Sequence, residues 1–250
     1  MNKNLLKADD MGDPMYQFKK SDYTLTLIRE LIFLPSPLNK KRYRYAKRTI
    51  DILFSFCTIL ILFPVVLPVL AILIKLNSKG PVFFLQKRNK KNGEVFYCIK
   101  FRTMHINDEA NIRSTNLNDN RVTSVGKFLR HSHLDELPQL INVFTGDMSL
   151  IGPRPHMISE NILFQKAIDE YLYRNEVKPG ITGLSQSLGN FGAIDDIEKI
   201  KERLLLDLLY IKRWSVKMEM RIMYKTIREM LPKIKHGLKL NKNHQEVVAA

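Results

Sequence analysis

The chain carries 23 consecutive residues without a charge, Ile52 to Ile74, bounded by Asp51 and Lys75. No other feature restricts its fold as strongly. As a straight helix the run would be roughly 35 Å long, enough to cross a ~30 Å hydrocarbon core. One reading is an ordinary transmembrane helix, since membrane helices tolerate proline. Two observations favour another. Pro64 and Pro68 lie mid-segment, where proline removes a backbone hydrogen bond and kinks a helix. The flanks are also basic on both sides, with Lys40, Lys41, Arg42, Arg44, Lys47 and Arg48 before and Lys75, Lys79, Lys87, Arg88, Lys90 and Lys91 after. The positive-inside tendency then puts both ends on the cytoplasmic face. The expected element is a monotopic, re-entrant helix broken at Pro64. Basic residues near an anionic leaflet would add on the order of 1 kcal/mol each to its anchoring.

The rest of the chain is globular in composition, 45% hydrophobic and 26% charged, which excludes an intrinsically disordered protein. Lys and Arg number 40 against 25 Asp and Glu, a formal net charge of +15. That excess calls for an anionic partner: nucleic acid, an anionic membrane or a phosphorylated substrate. Many of the basic residues cluster around the apolar run and no nucleic-acid module is recognisable, so nucleic acid is not the expected partner. Cys57 and Cys98 form no disulfide framework, which points to a reducing, cytoplasm-facing environment. The first strong apolar run starts near Ile50, too late for a secretory signal.

The expected fold class is α+β, mostly helical with a small β-hairpin. Residues 1–45 read as an N-terminal extension, partly disordered, with a short amphipathic helix over Leu25–Leu34 ended by Pro35 and Pro37. Residues 46–76 form the membrane element, 77–235 a cytoplasmic catalytic domain and 236–250 a tail. Gly80-Pro81 ends the membrane helix. Val82–Leu85 and Glu94–Phe101 read as strands around Asn92-Gly93, a hairpin signal. Residues 105–125 read as loop. A helix is expected around Ile158–Asn175 and a long one over Asp195–Leu231. The latter could bind lipid or pack in the core, and Trp214 could sit at the membrane interface or in the core.

Asp135 and Glu136 open a helical pattern within LDELPQLINVFTGDMSLIGPRP, Leu134 to Pro155, between Arg130 and Arg154. Proline is tolerated in the first helical turn, so Pro138 places the N-cap at or near Asp135, with Leu137, Ile141 and Phe144 packing inward. Asp135 may be read as no more than that N-cap, and Glu136 as a first-turn dipole partner. The same helix terminus is also an anion site, and arginine binds phosphate bidentately. Adjacent carboxylates beside phosphate ligands need a cation, for which Mg²⁺ is the default. The residues alone point to magnesium-dependent phosphoryl chemistry.

Several stretches together resemble the bacterial sugar transferase family: KRTIDILF from Lys47, the Pro-broken apolar run, GPVFFLQKR from Gly80, KFRTM from Lys100, LDELPQLINVFTGDMSLIGPRP, KPGITG from Lys178 and the closing LDLLYIKRWSVKMEMRIMYKTI. The resemblance covers roughly residues 45–235. It implies transfer of a sugar-1-phosphate from a UDP-sugar to undecaprenyl phosphate, with release of UMP, as the first membrane step of polysaccharide or glycan assembly. It implies a bacterial cytoplasmic membrane location with the site on the cytoplasmic leaflet. It further implies Asp135 as nucleophile and Mg²⁺ ligand, Glu136 as its dyad partner, Arg130 and Arg154 as phosphate-binding residues, and Lys100 and Arg102 as substrate-binding or bracing residues. The chain departs from the family's pattern at Phe63, at His133 and at Asn190, the last within a stretch that bears on sugar choice. The alternative reading is a membrane-tethered, non-catalytic scaffold of polysaccharide assembly.

Overall fold

A computed structural model describes residues 23–111, 115, 119–190, 196–230 and 232. Residues 1–22 of the expected extension, the expected tail (236–250) and residues 191–195 lie outside these.

The apolar run lies within one helix, α2 (Lys41–Asn77), which contains both Pro64 and Pro68. It is long and apolar enough to cross a membrane by length and composition. The expected break at Pro64 is not seen. Both prolines are exposed on the outer side of the helix, so the N–H groups they lack leave carbonyls open on that side alone. The opposite side is packed along its length. Lys47, Asp51, Ser55, Leu70 and Ile74 are buried, while Ile59 and Phe63 join the main core and Val66 and Leu67 a second one. This stripe repeats near every fourth residue, the spacing of one helical face. Leu53, Leu60, Ile61, Val65, Val69, Ile72 and Leu76 form the exposed apolar face.

Before α2, helix α1 (Tyr23–Ile32) packs its buried Ile28 and Leu31 against helix α7 (Ile197–Lys212). Ser36 then donates a hydrogen bond to the Ile211 carbonyl at 2.8 Å. After α2, strands β1 (Phe83–Asn89) and β2 (Val95–Phe101) form the expected hairpin, with Asn89 opposite Val95 and Phe83 opposite Phe101. Asn92 and Gly93 both have positive φ, 60° and 78°, a conformation that Asn and Gly adopt most readily. That is why the turn falls there.

Helix α3 (Ser124–His131) starts at Thr123, whose hydroxyl accepts from the Gly126 N–H at 2.9 Å. A Cβ on Gly126 would lie 2.0 Å from the Thr103 carbonyl, so only glycine lets α3 approach that backbone. Helix α4 is Gln139–Thr145. Strand β3 (Ser149–Ile151) pairs in parallel with β4 (Gly180–Thr182). This second sheet is not evident in the sequence, and it joins the segments before Gly152-Pro153-Arg154 and within KPGITG.

The expected helix over Ile158–Asn175 is two elements: α5 (Ile158–Ala167) and a run of 3-10 turns (Asp169–Glu176), separated by extended Ile168. The expected long helix is divided as well. α6 (Leu184–Ser187) precedes α7, and the chain breaks over 213–215 before residues 216–230 form α8. Trp214 in that break is buried and donates its indole N–H to Glu219 at 2.6 Å. It is a core aromatic. Glu219 also accepts from Lys47 Nζ at 2.7 Å and from Tyr210, and Lys47 donates to the Ile151 carbonyl at 2.9 Å. The polar residues of α2 are thus tied to β3 and α8 inside the main core.

Candidate active site

His133 stops α3. Its φ of 57° is left-handed, and the chain leaves it through one 3-10 turn, Leu134–Glu136. That turn carries the dyad. Asp135 therefore does not cap α4: the N-cap position is Pro138, and no side chain bonds the α4 amides there. The register of α4 also differs from the expected one. Leu140 and Val143 point into the core, whereas Phe144 is exposed and stacks on Phe56 of α2. The reason is Asn142, whose amide bonds the β2 backbone in both directions, donating to the Tyr97 carbonyl and accepting from the Ile99 N–H, each at 2.9 Å. This clamp fixes the dyad against the strand that holds Lys100.

A cleft of about 530 Å³ is lined by all six residues singled out from the sequence, Lys100, Arg102, Arg130, Asp135, Glu136 and Arg154. Their environments differ. Arg154 grips Glu136 with two bonds, Nη2 to Oε1 at 2.7 Å and Nη1 to Oε2 at 3.3 Å. Lys100 Nζ adds a third at 2.8 Å. Arg130, which also lines the cleft, donates from Nε to the Thr103 hydroxyl at 2.7 Å. Arg102 donates to the carbonyls of Lys79 and Ser78 at 2.7 Å each. It therefore braces the end of α2 rather than the dyad. Its buried Nε has no partner.

The two carboxylates titrate in opposite directions. Burial, then the neighbouring Glu136 charge, pushes Asp135 up to about 6 despite the nearby cations. Burial alone would raise Glu136 too, but Arg154 and Lys100 outweigh it and hold Glu136 well below the usual range. Both residues are buried. Glu136 is saturated with cationic donors, and no hydrogen bond or ion pair from a described residue reaches Asp135. One carboxylate is structural; the other is free.

A second layer fixes Arg154. Arg174, buried, donates Nη2 to the Arg154 carbonyl at 2.8 Å and is ion-paired with Asp207 at 2.7 Å. Tyr171 accepts from Arg174 at 2.9 Å and lies beside His156. Arg88 of β1 donates to the Pro155 carbonyl. Burial, reinforced by Arg174, holds His156 well below its ordinary value, so it is neutral. None of these residues stands out in the sequence reading. The available signal was Asp207, a single carboxylate inside the run Leu204–Tyr210, where an unpaired charge would be prohibitive.

No group of three or more His, Cys, Asp and Glu side chains among the described residues could hold a metal ion by itself. The free Asp135 carboxylate nevertheless fits Mg²⁺, which takes one or two carboxylates and fills its remaining positions with phosphate oxygens and water.

A family model described as bacterial sugar transferase matches residues 42–233. The chain belongs to this family. It is 45% identical over 194 residues to a UDP-glucose:undecaprenyl-phosphate glucose-1-phosphate transferase of Klebsiella pneumoniae, covering 77% of the chain and 41% of that protein. A protein of the same description from Caulobacter vibrioides is 37% identical, with 78% of the chain and 73% of that protein covered. A UDP-N-acetylgalactosamine-undecaprenyl-phosphate N-acetylgalactosaminephosphotransferase of Aeromonas hydrophila is 41% identical over 87% of the chain and 52% of that protein. The chain spans about two-fifths of the length of the Klebsiella, Xanthomonas and Escherichia relatives. The described sugars differ among relatives of similar identity, so identity alone does not name a sugar.

Proposed function

We propose that this sugar transferase moves a sugar-1-phosphate from a UDP-sugar to undecaprenyl phosphate through a covalent intermediate on Asp135. The observation that carries the reading is the asymmetry of the dyad: Glu136 is held by Arg154 and Lys100, and Asp135 is left without a partner in a cleft ringed by guanidinium groups. An Asp135 oxygen attacks the sugar-bearing phosphorus, the bond to the bridging oxygen breaks, and UMP leaves with that electron pair. An acceptor phosphate oxygen then attacks the same phosphorus and restores the carboxylate. Arg130 and Arg154 hold the phosphate oxygens as charge redistributes. Asp135 would hold Mg²⁺, which would supply further charge neutralisation. One diphosphate linkage replaces another, so no separate energy source is needed. The described activities of the relatives support the same reaction.

The test uses UDP-sugars labelled in the sugar-bearing phosphate. With the acceptor omitted, the wild-type protein should acquire label and release UMP, and Asp135→Asn should do neither. Equal labelling of Asp135→Asn, or no UMP release from any of a panel of UDP-sugars, overturns the proposal.

The re-entrant placement is part of the same reading. Lys47 and Asp51, near the start of α2, bond to β3 and α8, while Asn77 at its end bonds to Ser124 and Val125 of α3. One folded body holds both ends, and the exposed apolar face between them is available to lipid. We place α2 in the cytoplasmic leaflet, entering and leaving on the same side. Cysteines at Asn39 and Lys79, with Cys57 and Cys98 replaced by alanine, should react with an impermeant maleimide from one side only. Reaction from opposite sides refutes this topology.

A further inference from the structure

A second cavity, of about 300 Å³, lies between α2 and α8. Phe54, Thr58 and Leu62 of α2 form one wall, and Met223 and Ile227 of α8 the other. Unlike the cleft described above, its walls are mostly carbon. At its inner end stand His133, Glu136 and Arg154, which also line the polar cleft. The two cavities therefore share these three residues. At its outer end the groove is continuous with the exposed apolar face of α2, since Phe54 and Leu62 belong to both.

We propose that this groove receives the polyprenyl chain of the acceptor, with its phosphate at Arg154 and its first isoprene units between α2 and α8. The inference rests on the reaction proposed above and adds the route by which the second substrate arrives. Charge and shape select the occupant. A mostly apolar groove that carries the Arg154 guanidinium beside its Glu136 partner matches a ligand with one anionic head and one apolar chain. A peptide helix, about 10–12 Å across, does not fit a space at the lower limit of small-ligand pockets. The volume accommodates only the portion of chain next to the head, and the remainder stays along the exposed face of α2. The shared residues also suit a double displacement. Asp135 lines the polar cleft and its neighbour Glu136 lines both cavities, so the acceptor phosphate would meet the phosphorylated Asp135 where the two cavities adjoin.

Filling the groove separates the half-reactions. Met223→Trp and Ile227→Trp should accept label from UDP-sugar at about the wild-type rate, whereas the KM for polyprenyl phosphate rises roughly tenfold or more. Tyr224→Trp, on the exposed side of α8, serves as control and should leave that KM unchanged. Unaltered discharge of the adduct in both groove variants overturns the groove while leaving the nucleophile intact. Failure of the wild-type protein to form any adduct overturns the reaction itself. The wild-type protein supplies a readout that does not depend on the variants. A polyprenyl phosphate carrying a diazirine on its first isoprene should crosslink to Thr58, Met223 or Ile227, and unlabelled polyprenyl phosphate should compete. Crosslinks confined to other residues, or equal competition by phosphatidylglycerol, refute a specific acceptor site.

Discussion

Lys47 and Glu219 are 172 residues apart in the chain and meet at 2.7 Å in the protein interior. Their side chains are 10% and 1% exposed, and the same Glu219 oxygen serves Trp214 and Tyr210. One carboxylate of helix α8 therefore joins the start of the apolar helix, helix α7 and the break before α8. Removing one member of such a pair leaves a buried charge without compensation, which costs about 3–5 kcal/mol.

Lys47→Met should accordingly lower the Tm of the detergent-solubilised protein by ~6–20 °C. Glu219→Gln keeps the shape and loses the charge, and should fall in the same direction. The double change Lys47→Met with Glu219→Gln should recover part of the loss. A thermal melt followed by tryptophan fluorescence checks this directly, because Trp214 is the single tryptophan and donates to Glu219.

Asp135 is raised to about 6, so its charged form is disfavoured by the fold. The cost is fully present above pH 6, shrinks as the folded group takes up its proton, and vanishes below the unfolded value near 4. Asp135→Asn should therefore stabilise the protein at pH 7.5 by about 3 kcal/mol and have no effect on stability at pH 3.5. Activity should move the opposite way, falling to background. Paired melts and UMP-release assays at the two pH values test both halves.

The same titration predicts an acid limb in catalysis. Only the carboxylate form attacks phosphorus, so the rate of adduct formation should fall about tenfold per pH unit below pH ~6. Pre-steady-state labelling across pH 5–8 gives the profile. A flat rate from pH 5 to 8 contradicts the assignment of Asp135.

Arg154→Lys removes the two-pronged grip on Glu136 while keeping a positive charge, and should reduce kcat/KM on the order of 100-fold. Arg174→Lys, which loosens the Arg154 carbonyl, should give a smaller loss in kcat with KM for the UDP-sugar nearly unchanged. Steady-state kinetics with saturating acceptor distinguishes the two.

Gly126→Ala would press a methyl group against the Thr103 carbonyl, 2.0 Å from the ideal Cβ position. The expected cost is on the order of 1–3 kcal/mol. Because Thr103 orients Arg130, activity should fall further than stability alone accounts for. Assay at a temperature well below the variant's Tm separates the two effects.

Local chemistry was legible in the sequence, and distant pairing was not. The hairpin could be read because Asn92-Gly93 encodes its turn locally. Asp135 and Glu136 could be read as adjacent carboxylates between Arg130 and Arg154, whereas Lys100 and Arg102 entered only through the family resemblance. The helix ends were misplaced wherever a long-range partner decided them. Asn142 sets the register of α4 by bonding β2, and the Trp214–Glu219 bond accompanies the break between α7 and α8. The parallel pairing of β3 with β4 was invisible for the same reason: three-residue strands have no period to detect. Pro64 lies inside one continuous helix, whose opposite face is packed on both sides of it.

The Lys47–Glu219 contact also sets a schedule for synthesis. At ~5–20 residues per second, roughly 10–30 s separate the appearance of the two residues at the ribosome. During that interval the growing chain presents the apolar face of α2 with the partners of its polar face still unmade. Lys47 and Asp51 lie one helical turn apart on the buried stripe of α2, and burial pushes the Asp51 carboxyl up, with Lys47 offsetting only part of that. Their partners Glu219 and Ser149 belong to the second half of the chain and arrive only with it.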